Sequence, residues 1–219
     1  MRRCWLINRQ TNGGSMPPLS THFYVASLVL PSLEMAPHTA SFLLGTTAPD
    51  AFDPQSEQSF SRYHFKRSDG RIGLQDFVEV TNFTNRPFDD PAWCFTCGYY
   101  CHLWLDAFYM DNAQHLHFKR PPGMPDADWR SLIRKESEIL NAPFVLKAGS
   151  LPQSDNLLLP AGLEFVNFER CIDLFHEVLR QSQTWSVLAD ELVSLDPGEY
   201  AAFLGEASKI FLDEFQAAA

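Results

Sequence analysis

The stretch Cys101-His102-Leu103-Trp104-Leu105-Asp106-Ala107-Phe108 sets two polar side chains in an otherwise apolar run. Such a run leaves no polar stripe, so it reads as a helix buried nearly all round. His102 and Asp106 are four apart and leave that helix from one face, a turn from each other. A carboxylate buried there must be paired, hydrogen-bonded or bound to a metal. A divalent cation is the simplest partner for both groups. A His–Asp hydrogen bond inside the core is the plainer alternative, and the pair by itself favours it.

The helix around this stretch has a defined start. Asp90-Pro91 combines a capping carboxylate with a proline at the first helical position, and the pattern runs to about Asn112. Helical periodicity continues on both sides. Residues 18–30 read as a helix with Ser20 or Thr21 as cap, ended by Pro31. Residues 37–44 read as a short helix closed by Gly45. Thr46 to Asp50 reads as a loop, because the residue before Pro49 avoids helical geometry. Residues 51–72 are polar and turn-rich. Leu74, Phe77, Val78 and Phe83 give a helix over 73–84. After a loop at 113–127, Asp126 or Asp128 caps a helix through about Leu140, and 142–162 read as coil. Phe165, Phe168, Ile172, Phe175 and Leu179 give an amphipathic helix over 163–181. A shorter helix at 185–194 and a last one at 198–216 follow. No hairpin signal, repeat or dividing linker interrupts the pattern. The expected fold is all-α, a single multi-helix domain over 16–219 with six or seven helices around one core. Residues 1–15, ending in Thr11-Asn12-Gly13-Gly14-Ser15, read as a flexible N-terminal extension.

The 219 residues suffice for one domain with a substantial core. Asp plus Glu number 27 against 17 Lys plus Arg, a formal charge of −10. That argues against a long nucleic acid as partner, which needs a basic surface, but not against chemistry on phosphates at a bound cation. No run of about 18 apolar residues is present, so no transmembrane segment is expected. The first ten residues lack the apolar stretch of a signal peptide, and the five Cys form no disulfide framework. Both point to a cytoplasmic setting. Cys94, Cys97 and Cys101 share one helix face and lack a second pair to complete a zinc ribbon, so core packing is the favoured reading.

His22, Asp50 and His64 join His102 and Asp106 as candidate ligands. Three imidazoles and two carboxylates suit zinc. They come from separate segments, so only folding could bring them together.

Leu43-Leu44-Gly45-Thr46-Thr47-Ala48-Pro49-Asp50, then His64-Phe65, then Gly98-Tyr99-Tyr100-Cys101-His102-Leu103-Trp104-Leu105-Asp106 resemble, in order and spacing, the zinc-dependent phospholipase C family. Thr21-His22 also fits its pattern, and the resemblance covers about residues 16–112. It implies an all-helical fold with a zinc cluster in a cleft at the helix ends. It implies Asp50, His64, His102 and Asp106 as ligands of one zinc. His22 would ligate a second zinc bridged by Asp106, and the resemblance implies Asp50 as general base. The expected cofactor is Zn2+, one ion at least and up to three. Zinc brings the pKa of bound water to ~7 in favourable sites, and a carboxylate beside that water could orient it or take its proton.

The chain departs from the family in two places. Secreted members ligate zinc through a mature N-terminal Trp, whereas Trp5 is internal here. No His-x-x-x-Glu follows downstream. Glu169, Asp173 and His176 share a helix face and could stand in; a solvated face beside Arg170 and Arg180 is the favoured reading. His115 and His117 read as solvated loop residues, and His38 as a core or surface histidine.

The function expected is a zinc-dependent, phospholipase C-like hydrolase of phosphoester bonds acting on a phospholipid headgroup or another small phosphoester. The alternative is a non-catalytic helical binding or scaffold protein that keeps a partial structural zinc site, since four protein ligands can close a site. Metal phosphohydrolases built on adjacent His-Asp, zinc proteases with His-Glu-x-x-His and hydrolases with Gly-x-Ser-x-Gly are excluded by the absence of those motifs.

Overall fold

The structure is a computed structural model that describes residues 16–33, 38–53, 55, 57–83, 90–116, 118–148, 159–185 and 192–218. Its helices are α1 (Leu19–Val29), α2 (Thr39–Thr47), α3 (Glu57–Tyr63), α4 (Leu74–Thr81), α5 (Pro91–Asn112), α6 (Asp126–Ala148), α7 (Phe168–Trp185) and α8 (Pro197–Ala218). The fold is all-α: among the described residues the only β pairing is an isolated bridge between Lys66 and Ile72. No helix among them is long and apolar enough to cross a membrane. The extension expected at 1–15 and most of the helix expected at 185–194 lie outside the described residues.

Helix α5 is the axis of the molecule. Asp90 caps it, its carboxylate accepting from the Ala92 amide at 2.9 Å. Trp93 to Tyr99 and Cys101 to Asp106 are all buried. Helices α1, α2, α4 and α8 pack around it, and α6 and α7 complete the layer over α1 and α2.

The closest approach is between α2 and α5. Gly45 does not close α2; it lies inside the helix, where a Cβ would stand 1.9 Å from the Phe95 carbonyl oxygen. Gly98 answers it across the crossing: a Cβ there would stand 1.9 Å from the Phe42 carbonyl oxygen. Two glycines therefore let the backbones touch, and only a hydrogen can occupy either position. The residues after Gly45 stay helical to Thr47 and pass into a 3-10 turn, Ala48–Asp50, with Pro49 in its first positions.

Other boundaries moved for physical reasons. Ser20 and Thr21 lie inside α1 rather than capping it. Their hydroxyls accept from the Asn141 amide of α6 at 3.3 and 2.9 Å, and the Thr21 hydroxyl also bonds the Tyr200 hydroxyl of α8 at 3.1 Å. Helix α6 runs through Pro143 to Ala148. Pro143 is exposed while Ile139, Ala142 and Val145 are buried, so packing holds the helix past the missing N–H. Helix α7 begins at Phe168, because the Asn167 side chain accepts from the Arg170 amide at 3.0 Å and acts as its cap. Helix α3 arises within the stretch read as turn-rich, anchored by buried Tyr63.

Glu136 of α6 is buried and holds the approach to α8. Its carboxylate accepts from the amides of Val193 at 2.8 Å, Ser194 at 2.9 Å and Leu195 at 2.7 Å. Glu136→Ala leaves those N–H groups without their charged acceptor, and a loss of about 3 kcal/mol is expected. Urea unfolding measures it, and an unchanged midpoint would contradict this role.

Candidate metal centre

Five ligand-type side chains from four segments meet beside the C-terminal half of α5. His22 comes from α1, Asp50 from the turn after α2, His64 from the residue following α3, and His102 and Asp106 from α5. Asp106 is the hub. Its Oδ1 is 3.3 Å from Nε2 of His22. Its Oδ2 is 3.3 Å from Nε2 of His102 and 3.6 Å from Nε2 of His64. Asp50 Oδ1 completes the group, 3.4 Å from Nε2 of His64. Two overlapping sets, His22–His102–Asp106 and Asp50–His64–His102, each hold ligand atoms mutually within 4.8 Å.

Backbone carbonyls fix the rings. His102 Nδ1 donates to the Thr46 carbonyl at 2.8 Å and His64 Nδ1 to the Phe60 carbonyl at 3.2 Å. With the proton on Nδ1, each Nε2 lone pair faces the centre, which is the arrangement of a metal-binding histidine. The α2–α5 crossing supplies the first of these bonds, because Thr46 follows Gly45. Tyr99 supports the second: its hydroxyl donates to the Tyr63 carbonyl at 2.5 Å, in the peptide that leads into His64. Phe65 then turns the chain back with φ +48°. An aromatic residue rarely adopts this left-handed geometry, and Phe65 is held there by ring contacts with Phe77, Tyr99 and Phe165.

The centre is not satisfied by its own atoms. Neither oxygen of Asp106 and neither ring nitrogen of His22 has an aligned hydrogen-bond partner, and both residues are 1% exposed. Leaving a carboxylate this way costs several kcal/mol. The spacing of the facing atoms exceeds a good hydrogen bond. It matches the edge of a tetrahedron of N and O ligands around zinc, about 3.3 Å for bonds of about 2.05 Å. The donor set therefore fits a small divalent cation.

Electrostatics point the same way. Burial pushes the His22 imidazolium below its usual pKa, and the His102 ring, stacked on it at 3.7 Å, adds to the effect. Burial also opposes charge on His102, but Asp106 more than offsets it and the net shift is upward. Burial would raise Asp106, yet His102 and His22 outweigh it and hold the carboxyl well below the ordinary range. Asp50 is lowered as well: burial acts against its charge, and His102 and His64 overcome that. Both carboxylates are thus ionised where a cation would bind.

Asp50 differs from the other four in exposure. Its side chain is 29% exposed, against 1% for His64 and Asp106. It lies at the wall of a cleft of about 490 Å3, lined also by Phe52, Phe60, Arg134, Leu174 and Trp185. The cluster therefore has one open side.

The remaining candidates fall elsewhere. Glu169, Asp173 and His176 are exposed on the outer stripe of α7, opposite buried Cys171, Phe175 and Val178. They form no part of the cluster and are a solvated face. His115 is exposed, His38 is half-buried at the start of α2, and His117 lies outside the described residues. Cys94, Cys97, Cys101 and Cys171 are buried, and none of the four is in a disulfide. Burial pushes the Cys97 thiol far up and Cys171 to about 12. None of these four thiols is expected to react with a thiol reagent in the native chain at mildly alkaline pH, whereas all four react after unfolding. Rapid native labelling of any of them, read by mass spectrometry, would contradict their core role.

Sequence reasoning missed Gly98, Thr46 and Tyr99, because each acts through backbone approach or a carbonyl partner distant in the chain. In comparisons with known proteins, no family model, no curated protein and no solved structure matches this chain.

Proposed function

We propose that the protein is a zinc-dependent hydrolase of phosphoester bonds, phospholipase C-like in its chemistry. The observation that carries this reading is the convergence of His22, Asp50, His64, His102 and Asp106 with its one open side on the cleft. One ion would draw on Asp50, His64 and His102, which form one of the two three-residue sets and leave a coordination position for water. A second ion would draw on His22 and on Oδ1 of Asp106. Bound zinc supplies an acidified water and neutralises phosphate charge.

The side chains do the rest. His64 and His102 keep their protons on the carbonyl-bound nitrogens and so stay fixed in tautomer. Asp50, ionised and at the cleft wall, holds the attacking water and takes its proton. The water oxygen bonds to phosphorus as the P–O bond to the leaving group breaks. The proton then passes from Asp50 to the leaving alkoxide. Phe52, Phe60, Leu174 and Trp185 present apolar surface to the body of a small ester or lipid headgroup.

The exposure of Asp50 favours this reading over a structural zinc site in a binding or scaffold protein, because structural sites are closed. Metal analysis together with turnover of a chromogenic phosphodiester tests the choice. Bound zinc with turnover supports the hydrolase, bound zinc with no turnover of any phosphoester selects the scaffold, and a chain that takes up no metal overturns both. Asp50→Asn is expected to lower kcat by on the order of a hundredfold or more, the contribution of a positioned proton acceptor. Steady-state kinetics on the purified, folded variant checks it, and wild-type kcat would remove Asp50 from the mechanism.

A further inference from the structure

The stretch from the end of α3 to Arg71 carries a second feature that the hydrolytic reading does not use. Four of the 17 cationic residues of this acidic chain fall within ten positions: Arg62, Lys66, Arg67 and Arg71. Three of them line one open cavity of about 520 Å3, together with Ser61, Phe165 and Asp76. Asp76 neutralises only one, gripping Arg67 in a fork of two 2.7 Å hydrogen bonds. Arg62 and Lys66 have no carboxylate partner among the described residues.

Both are nevertheless held in place. The Arg62 guanidinium lies over the Phe165 ring, 4.5 Å from its centroid, and the Lys66 ammonium over the Phe60 ring at 5.5 Å. Aromatic faces fix a cation without consuming its N–H donors. Two pre-positioned cations with free donors are what an oxyanion needs. The backbone beneath them is also firm. The Lys66 amide donates to the Ser61 carbonyl at 2.8 Å, the Arg67 amide to the Arg71 carbonyl at 2.8 Å and the Gly73 amide to the Phe65 carbonyl at 2.8 Å.

This patch is joined to the metal centre through one ring. Phe60 stacks on His64 with centroids 4.3 Å apart, carries Lys66, and lines the cleft beside Asp50. The cleft's own cation, Arg134, is already bound to Glu138 at 3.3 Å. Arg62 and Lys66 of the second cavity have no carboxylate partner among the described residues, so their donors remain for a ligand.

We propose that Arg62 and Lys66, with the Ser61 hydroxyl, form an accessory anion subsite that takes a phosphate group, the second anionic group of a phosphoester whose scissile phosphate enters the metal centre. A preference for substrates with two anionic groups follows. The kinetic consequence rests on the hydrolase reading above; the binding consequence does not.

The test compares the wild-type chain with Arg62→Gln/Lys66→Gln and with Lys66→Gln alone, which alters a single exposed side chain. Zinc content is measured first and is expected to be equal in all three. Two chromogenic diesters then separate the roles: the p-nitrophenyl ester of thymidine 5′-phosphate, with and without a 3′-phosphate. The double variant is expected to lose about tenfold in kcat/KM on the 3′-phosphorylated ester, the low end of electrostatic steering, and to stay within about twofold on the other. Equal losses on both esters, or none, overturn the subsite.

Calorimetric titration with inorganic pyrophosphate is the arm that needs no turnover. Weaker binding by the variants supports the subsite even if the wild type hydrolyses neither ester, in which case only the hydrolase reading falls. Unchanged affinity, or no binding by the wild type, overturns it. Co-sedimentation with phosphatidic acid vesicles identifies the source of the phosphate. Pelleting lost in the double variant names a lipid headgroup, and pyrophosphate binding without pelleting names a soluble ester.

Discussion

Asp106→Asn is expected to strip the centre of metal and activity together. Both oxygens of Asp106 are committed to the cluster, one towards His22 and the other towards His64 and His102. No other carboxylate there is fully buried. An amide of the same shape removes the negative charge that offsets the cation, and its N–H group donates to an Nε2 lone pair that would otherwise bind the ion. Affinity for zinc should fall by more than about a hundredfold, beyond what the loss of an outer partner produces, and turnover should fall with it. Thermal unfolding gives a second reading. Zinc in a thousandfold excess over its Kd stabilises a native chain by about 4 kcal/mol. That gain should appear in the wild type and vanish in the variant. Stoichiometric zinc in dialysed Asp106→Asn would mean that the cluster is an internal polar knot and holds no ion.

Gly98→Ala is expected to damage the fold more than most single changes, although it adds only one methyl group. That methyl would stand 1.9 Å from the Phe42 carbonyl oxygen and 2.9 Å from the Thr46 amide nitrogen. Both obstacles are backbone atoms, so no rotamer change relieves them. The helices must separate, and overpacking of this kind costs about 3 kcal/mol or more. The separation also draws the Thr46 carbonyl away from His102 Nδ1, so zinc affinity should fall in whatever fraction folds. Gly205→Ala is the matching control. Gly205 lies in α8 with nothing near its Cβ position, and alanine there should be neutral or stabilise by about 0.5–1 kcal/mol. Chemical denaturation of the pair decides the point; equal midpoints would mean that α2 and α5 leave room for a methyl group at Gly98.

Much of the fold is legible in the chain because helical patterning is local. Asp90-Pro91 declares the start of α5, the Phe positions of α7 declare its buried face, and the unbroken apolar run around His102 declares a helix with no solvent side. Boundaries are less legible where distant packing overrides local preference. Pro143 should end α6 and does not, because Ile139, Ala142 and Val145 are already committed to the core. Gly45 has the composition of a cap and serves instead as a contact, a difference that no residue near it encodes.

The candidate site divides along the same line. Residue chemistry alone marks His22, Asp50, His64, His102 and Asp106 as ligand types, and the four-residue step from His102 to Asp106 fixes that pair on one face whatever the rest of the chain does. Glu169, Asp173 and His176 have equally suitable chemistry and spacing, yet they end on a solvated stripe. Only the packing of α1, α2 and α5 separates the two sets, bringing one to a point beside the cleft and leaving the other in water. A helix repeat governs neighbours three and four residues apart, and so the sequence by itself determined most of the helices and their polar steps, though not α3 or the last turns of α6. Which imidazole meets which carboxylate depends on chain crossings between residues tens of positions apart, and at α2 and α5 on two missing side chains that let backbones touch.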